Sequence, residues 1–150
     1  MNEITKEQWE KKTEQIIGEY LSRNDGCFDA EMHARLCGYD FSEKSISVEF
    51  ETLPWQINER GGIHGGAIAG MFDTAFGVVA NCTSILGGGN EAATADMNIS
   101  FLRPVEYGEQ TIVKVYVVKK GRTMIRLRAE MFCKESGKLV ATGVGRWIPL

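Results

Sequence analysis

Residues HGGAIAGMFDTAFGVVANCT, at positions 64–83, form a long segment in which apolar residues recur at helical spacing. They occupy nearly every side of the predicted helix rather than one stripe, and they are Ala67, Ile68, Met71, Phe72, Ala75, Phe76, Val78 and Val79. A helix with no clear polar face has to be buried. The rest of the chain is therefore expected to wrap around it.

β-Strands are predicted on both sides of this helix. Before it, Leu36–Phe41 is compatible with a short strand, and Ser45–Leu53 alternates as a half-buried strand does. After it, the alternation at 93–101 places Met97 and the other odd-numbered residues on one face, with Thr94 on the opposite face. Three more strands follow on short turns, which predicts an antiparallel meander: Thr111–Lys119, Met124–Phe132 and Leu139–Ile148.

The N-terminal residues 1–23 are predicted to form an amphipathic helix on the surface of the core. Its apolar residues recur among charged ones at roughly helical spacing: Ile4, Trp9, Ile16, Ile17, Tyr20 and Leu21. A chain of 150 residues that is 43% hydrophobic fits a single domain, 1–150, with its core at 36–150. The predicted class is α+β, with an antiparallel β-sheet wrapped around one long central α-helix.

Composition narrows the class of partner. A net charge of -3 and a pI near 5.5 argue against nucleic acid, which favours a basic face. The first residues, MNEITKEQWEKK, lack the apolar core of a signal peptide, and no apolar run reaches the roughly eighteen residues that span a bilayer. These features predict a soluble, cytoplasmic protein that binds neither nucleic acid nor membrane.

The cysteines are predicted to be reduced and mostly buried, with no metal site. None forms a C-x-x-C pair, and neither His33 nor His64 lies at a zinc-like spacing from any of them. The four are Cys27, Cys37, Cys82 and Cys133.

The central helix opens with a glycine-rich sequence, Gly61-Gly62-Ile63-His64-Gly65-Gly66. Glycine lets a ligand approach the backbone closely, and the free N–H groups at a helix start attract an oxygen that gains negative charge. An oxyanion hole requires both properties. Glycines before a helix are also common turn residues, so this pattern alone leaves both interpretations open.

Asp73 is chemically unusual because it interrupts the apolar part of the same helix. Aspartate is a poor residue for a helix interior, and a buried carboxylate without a partner is costly. One interpretation is a structural carboxylate satisfied by a buried hydroxyl or lining a contact with small residues. The other is a general base or nucleophile in a poorly hydrated pocket.

The segment around these residues resembles the hotdog-fold acyl-CoA thioesterases of the phenylacetate-pathway (PaaI-like) and thioesterase superfamily member 2-like type. Asn58 lies six residues before the His64-Gly65-Gly66 sequence, and Asp73 lies nine residues after His64. Three downstream segments resemble the family's third strand, its hairpin turn and the approach to its last strand: 94–104, 120–123 and 137–141. The match runs from about Leu36 to the C-terminus.

The resemblance implies a hotdog fold, hydrolysis of an acyl-CoA and a role for each matching residue. Asp73 activates water or attacks the thioester carbonyl, and the Gly65 N–H polarises the carbonyl oxygen. Asn58 and His64 help to hold the thioester and the leaving group. Thr94 holds the water near Asp73, or is an ordinary β-branched strand residue. No cofactor is implied, because coenzyme A is part of the substrate.

Helix geometry adds a constraint on the assembly. Gly65 and Asp73 are eight residues apart, so they lie about 12 Å apart along one helix axis. One thioester carbonyl cannot touch both, so if both residues have these roles, they must come from different subunits. The resemblance also implies a site at a subunit interface, in a homodimer or a dimer of dimers (a homotetramer).

The nucleotide of coenzyme A carries phosphates, which need cations near the mouth of the site. The predicted substrate- and CoA-binding residues are Gly66, Arg103, Lys119, Lys120, Gly121 and Arg122. Basic residues at strand ends and turns are also commonly just solvated. Arg126 and Arg128 are expected on an exposed face of the sheet.

Two other functions are compatible with the predicted fold. A hotdog hydratase or dehydratase generally pairs a catalytic histidine with an acidic residue, and its His-rich, Pro-Gly motifs are absent from this sequence. A non-catalytic protein that binds or senses acyl-CoA has no need of a carboxylate beside an anionic ligand, which makes Asp73 the discriminating residue. An aromatic acyl group and a medium or long fatty acyl group both fit the sequence.

Overall fold

The computed structural model describes residues 3–150, which contain three α-helices and one six-stranded sheet. The helices are α1 (Lys6–Leu21), α2 (Phe28–Glu31) and α3 (Gly65–Leu86). The strands are β1 (Arg35–Asp40), β2 (Ser45–Phe50), β3 (Ala92–Phe101), β4 (Thr111–Lys120), β5 (Ile125–Cys133) and β6 (Leu139–Pro149). Every strand pairing is antiparallel, and the sheet wraps around α3 as predicted.

Helix α3 forms the centre of the core. Phe72 and Phe76 are fully buried, and the ring of Phe76 lies 5.1 Å from that of Trp147 on β6. The helix is long and apolar enough to cross a membrane, but 72% of its apolar window is buried inside this fold. Its composition is therefore that of a core helix.

The expectation that α3 is buried all round is wrong for one stripe. The residues along it are exposed or half-buried, and they recur at intervals of three or four: Gly66, Ala69, Asp73 and Gly77. Residues at that spacing lie on one face of a helix. Asp73 is therefore half-buried rather than enclosed. We call these four residues the open stripe.

The order of strands differs from the predicted meander. Neighbours along the chain pair in β1–β2 and in β4–β5–β6, as predicted, but the full order is β1-β2-β4-β5-β6-β3. Helix α3 carries the chain from β2 across the sheet, so β3 pairs with β6 at the far edge. Strand β3 has one strand neighbour within residues 3–150, and its other edge is open.

A β-bulge in β3 overturns the predicted alternation of that strand. Thr94 pairs with Trp147 and Asp96 pairs with Arg146, so Ala95 is the extra residue. An extra residue reverses the side to which the preceding residues point. Thr94 therefore faces α3 together with Met97, instead of opposite to it.

Helix α1 packs on α3 as the amphipathic pattern predicts. It begins with a capping box between Thr5 and Gln8, and it buries Ile17 completely. Of the four cysteines, Cys82 and Cys133 are buried as expected, whereas Cys27 and Cys37 are exposed. Burial raises the pKa of the Cys82 thiol to about 11, because an apolar surrounding disfavours the thiolate.

We expect Gly143→Ala and Gly18→Ala to have opposite effects on the free energy of unfolding. A Cβ at Gly143 would lie 2.8 Å from Ile99 Cδ1 and 2.9 Å from Phe72 Cδ1. Overpacking in Gly143→Ala should therefore lower the free energy of unfolding by about 1–3 kcal/mol. A Cβ at Gly18 meets nothing within 4 Å, so Ala should raise it by about 0.5–1 kcal/mol. Urea unfolding at equal protein concentration measures both, and an equally stable Gly143→Ala would contradict the tight packing of β6 on α3.

Candidate active site

The loop before α3 is shaped by Asn58 and by its glycines. The Asn58 side-chain oxygen accepts hydrogen bonds from the N–H groups of Arg60 (2.9 Å) and Gly62 (3.2 Å). Gly61 lies between them at φ +85°, a conformation that suits glycine. The N–H of Ile63 then donates to the carbonyl of Val105 at 2.8 Å. These bonds hold the loop in place at the N-terminus of α3.

His64 caps α3 and decides which backbone donor remains free. Its Nδ1 accepts the Gly66 N–H at 2.8 Å, so this atom carries no proton and Nε2 carries the ring hydrogen of the neutral form. The Gly65 N–H has no hydrogen-bond acceptor among residues 3–150. Gly65 therefore presents the free donor at the positive end of the helix dipole, whereas the donor of Gly66 is occupied.

An open cleft of about 480 Å³ lies beside this donor. Four of its residues matter here, and we call it the glycine cleft: Asn58, Gly65, Phe101 and Arg103. The structure thus brings three of the predicted site residues together. Asp73 does not line this cleft.

Asp73 and Thr94 meet on the open stripe. The Thr94 hydroxyl donates to Asp73 Oδ1 at 2.9 Å. The bulge at Ala95 makes this contact possible, because it turns Thr94 towards the helix. One carboxylate oxygen is thereby oriented, and we call Asp73 with Thr94 the carboxylate pair.

The glycine cleft and the carboxylate pair are separated along α3 by about 12 Å, the rise of eight helical residues. A thioester carbonyl is far smaller than that. Within one protomer, the free N–H of Gly65 and the carboxylate of Asp73 therefore cannot act on the same carbonyl group.

The predicted CoA-binding residues are divided between the two ends of α3. Arg103 lines the glycine cleft, whereas Lys119 and Lys120 line a second cavity of about 570 Å³ beside the C-terminal end of α3. Gly121 forms the adjoining turn, where its N–H donates to the Met124 carbonyl at 2.8 Å, and Arg122 is exposed. The length of α3, about 33 Å for 22 residues, separates the two groups within a protomer. Arg126 and Arg128 are exposed, as predicted.

The sequence analysis assigned no role to two residues of α2 that contact α3, Phe28 and Asp29. The Asp29 carboxylate accepts from the Thr74 hydroxyl at 2.6 Å and from the Tyr20 hydroxyl at 2.7 Å. Burial and the hydrogen bond to Asp29 raise the pKa of Tyr20, so its phenol stays protonated and can donate. Phe28 packs against Gly70 of α3. No periodicity marks either residue, because α2 has only four residues.

A sequence comparison places the chain in a family. Residues 60–140 match the model of the Thioesterase superfamily, so the match includes the glycine-rich helix start, Asp73 and Thr94. The chain belongs to this superfamily. It is therefore a thioester hydrolase, and the predicted family and enzyme class are confirmed.

Curated and solved relatives agree with this assignment. The thioesterase is 30% identical to mouse acyl-coenzyme A thioesterase 13 over 100 residues, which are 67% of this chain and 69% of that protein. The PaaI protein of the Escherichia coli phenylacetic acid degradation operon superposes with a TM-score of 0.77 at 24% identity, over 93% of this chain and 94% of that one. The smu.793 protein of Streptococcus mutans, bound to acetyl CoA, gives 0.66 at 20% identity, over 78% and 88%. The structural likeness confirms the hotdog fold.

The hydrogen bond in the carboxylate pair predicts different effects for two substitutions of Thr94. In Thr94→Ala the donor to Asp73 is lost, and we expect kcat to fall about ten- to a hundred-fold through poorer positioning. In Thr94→Ser the hydroxyl remains, and kcat should stay close to the wild-type value. Steady-state release of free thiol measures both. If serine is as damaging as alanine, Thr94 acts through packing and not through its hydroxyl.

Proposed function

We propose that this thioesterase hydrolyses an acyl-CoA to the free acid and coenzyme A, with Asp73 as the base or nucleophile. The observation that carries the proposal is the hydrogen bond between Thr94 and Asp73 Oδ1, while Oδ2 of the same carboxylate has no donor among residues 3–150 and is open to water. Relatives named acyl-coenzyme A thioesterase and a hotdog neighbour bound to acetyl CoA support the choice of acyl-CoA.

As a general base, Asp73 takes a proton from a water molecule as that water attacks the carbonyl carbon. The carbonyl oxygen gains negative charge, and the free N–H of Gly65 stabilises it. When the carbonyl reforms, the C–S bond breaks, the thiolate of coenzyme A leaves with the electron pair, and the proton held by Asp73 passes to the sulfur or to solvent. As a nucleophile, Asp73 instead attacks the carbonyl carbon itself and displaces the thiolate, and water then hydrolyses the resulting mixed anhydride to the free acid and Asp73.

His64 and Asn58 are proposed to hold the substrate, Asn58 from the lining of the glycine cleft and His64 from the N-cap of α3, next to Gly65. The Nδ1 atom of His64 accepts from Gly66, so the ring is orientated and its Nε2–H can donate to the thioester or the leaving group. The Asn58 side-chain oxygen is used by the loop, which leaves its NH₂ group as the donor. Arg103, in the same cleft, is the nearest proposed cation for the phosphates of coenzyme A.

The active unit is proposed to be a homodimer in which Gly65 of one chain meets Asp73 of the other. Strand β3 supports this, because a ten-residue edge strand with an open side is a template for pairing with another strand. Phe101 and Leu102, at its end, are 54% and 53% exposed, which is unfavourable unless a partner covers them. The open stripe has small residues on either side of Asp73, so a second helix could approach closely. Pairing of such dimers would give the homotetramer.

The proposed reaction needs no metal or redox cofactor, since a base, a hydrogen-bond donor and water suffice. We also propose a cytoplasmic location. The four cysteines support it, because each is free within residues 3–150 and disulfides are rare in that compartment.

Asp73→Asn tests the catalytic role directly. We expect kcat to fall by several powers of ten, because the amide keeps the shape but cannot take a proton. Asp96→Asn is the matched control. Asp96 is two residues from Thr94 on the same strand, but its carboxylate pairs with Arg146 on the outer face of the sheet. The kcat of Asp96→Asn should therefore be nearly unchanged. Near-normal kcat in a folded, assembled Asp73→Asn would favour a non-catalytic acyl-CoA binding protein.

Mixing two inactive variants tests the shared site. Gly65→Pro removes the proposed N–H donor at a helix position that tolerates proline, and Asp73→Asn removes the base. If the two are unfolded and refolded together, about half of the dimers are mixed and each mixed dimer has one intact site. Roughly a quarter of wild-type activity should therefore return. A mixture no more active than its components, with mixed dimers confirmed by mass, would place both groups in one chain.

A further inference from the structure

Phe28, the first residue of α2, is an exposed aromatic residue whose ring packs on α3. Its side chain is 56% exposed, although it packs directly on the helix backbone at Gly70. A Cβ at Gly70 would lie only 2.8 Å from Phe28 Cζ, so no larger residue at position 70 leaves the ring where it is. The ring therefore covers the helix with one edge or face and presents the rest to solvent.

The position of Phe28 is close to Asp73. Gly70 and Asp73 are three residues apart on α3, and side chains at that spacing are neighbours with Cβ atoms about 5–6 Å apart. Together with the contact at Gly70, this places the edge of the Phe28 ring within about 8–9 Å of the Asp73 Cβ. Thr94 contacts Asp73 from β3. The carboxylate is thus oriented by β3, and the aromatic ring of α2 packs on the same helix about one turn away.

Two residues near Phe28 hold α2 in place, through contacts with α3 and α1. Asp29 follows Phe28 directly and bridges Thr74 of α3 to Tyr20 of α1 through hydrogen bonds of 2.6 and 2.7 Å. Met32, fully buried, also lies at Gly70, 3.6 Å from the position of a Cβ there. The ring is consequently fixed near Asp73 by residues other than itself.

The chemistry of the surrounding surface selects an apolar ligand. The helix positions that flank the ring and the carboxylate are Gly66, Ala69 and Gly70, which carry no polar side chain, and the Asp73 carboxylate repels a second negative charge. An uncharged hydrocarbon group suits this surface, whereas the phosphates of coenzyme A do not.

We propose that Phe28 is a specificity-determining residue against which the acyl chain of the substrate packs. This inference rests on the proposed function. The acyl groups it favours are uncharged and apolar, with about six carbons or more, so that they extend from the carbonyl at Asp73 to the ring. Short acyl groups end before they reach Phe28, and acyl groups with a terminal carboxylate are disfavoured.

The test compares kcat/KM over a panel of substrates: acetyl-CoA, succinyl-CoA, octanoyl-CoA and phenylacetyl-CoA. In Phe28→Ala, we expect kcat/KM for octanoyl-CoA and phenylacetyl-CoA to fall about ten- to a hundred-fold, mainly through a higher KM, as the loss of one hydrophobic contact does. For acetyl-CoA it should change less than two-fold. Phe28→Leu keeps an apolar side chain and should recover most of the octanoyl-CoA activity.

Phe41→Ala is the control for the loss of a partly exposed aromatic ring, since the Phe41 ring packs on that of Trp9 at 5.6 Å and lies by the cavity at the C-terminal end of α3, more than two helical turns from Asp73. It should leave the ratio of octanoyl-CoA to acetyl-CoA activity unchanged. An equal decrease for every substrate in Phe28→Ala, or a change in its oligomeric state, would overturn the inference and make Phe28 a structural or subunit contact. A wild-type protein that hydrolyses no acyl-CoA would overturn the proposed function itself, and the inference with it.

Discussion

The rest of this structure depends on the burial of α3, because the sheet packs around this apolar helix and excludes water from it. Phe72 and Phe76 are fully buried, and each aromatic or aliphatic side chain buried in this way stabilises the fold by about 1.5–3 kcal/mol. The sheet, α1 and α2 cover most of the helix, and between its two ends they leave the open stripe uncovered. Gly65 and Asp73 lie on α3, His64 caps it and Thr94 donates to Asp73, so the helix is both the core and the main support of the site.

The position of β3 connects the fold to the site. Because α3 separates β2 from β3, the chain emerges on the far side of the sheet, and β3 becomes an edge strand beside β6. The edge lies along the open stripe, where Thr94 reaches Asp73 across the bulge at Ala95. The same edge is the surface proposed to pair with a second chain. The orientation of the carboxylate and the assembly of the enzyme therefore share one structural element.

A rigid helix is also the physical reason for the proposal that two protomers share each site. Eight residues between Gly65 and Asp73 fix a separation of about 12 Å that no side-chain rotation can close. The same rigidity becomes useful in a two-fold assembly, because each helix then supplies a donor to one site and a carboxylate to the other. Covering the open stripe would also exclude water, which strengthens the interaction of the Gly65 N–H with a developing oxyanion.

Local pattern in the sequence was enough to predict the long buried helix, the amphipathic α1 and the extent of most strands, because period is a property of neighbouring residues. Glycine content and an aspartate in an apolar helix marked Gly65 and Asp73 as candidates, and the resemblance to a family added Asn58. Only the tertiary structure decided that β3 leaves the meander, since strand order depends on which edge the chain reaches after α3. It also decided that Thr94 faces the helix, because a single bulge reverses an alternation that the sequence shows as regular. The tertiary structure likewise decided the positions of Phe28 and Asp29. They lie more than 40 residues from Asp73 in the chain, and only the packing of α2 on α3 brings them to the same part of that helix.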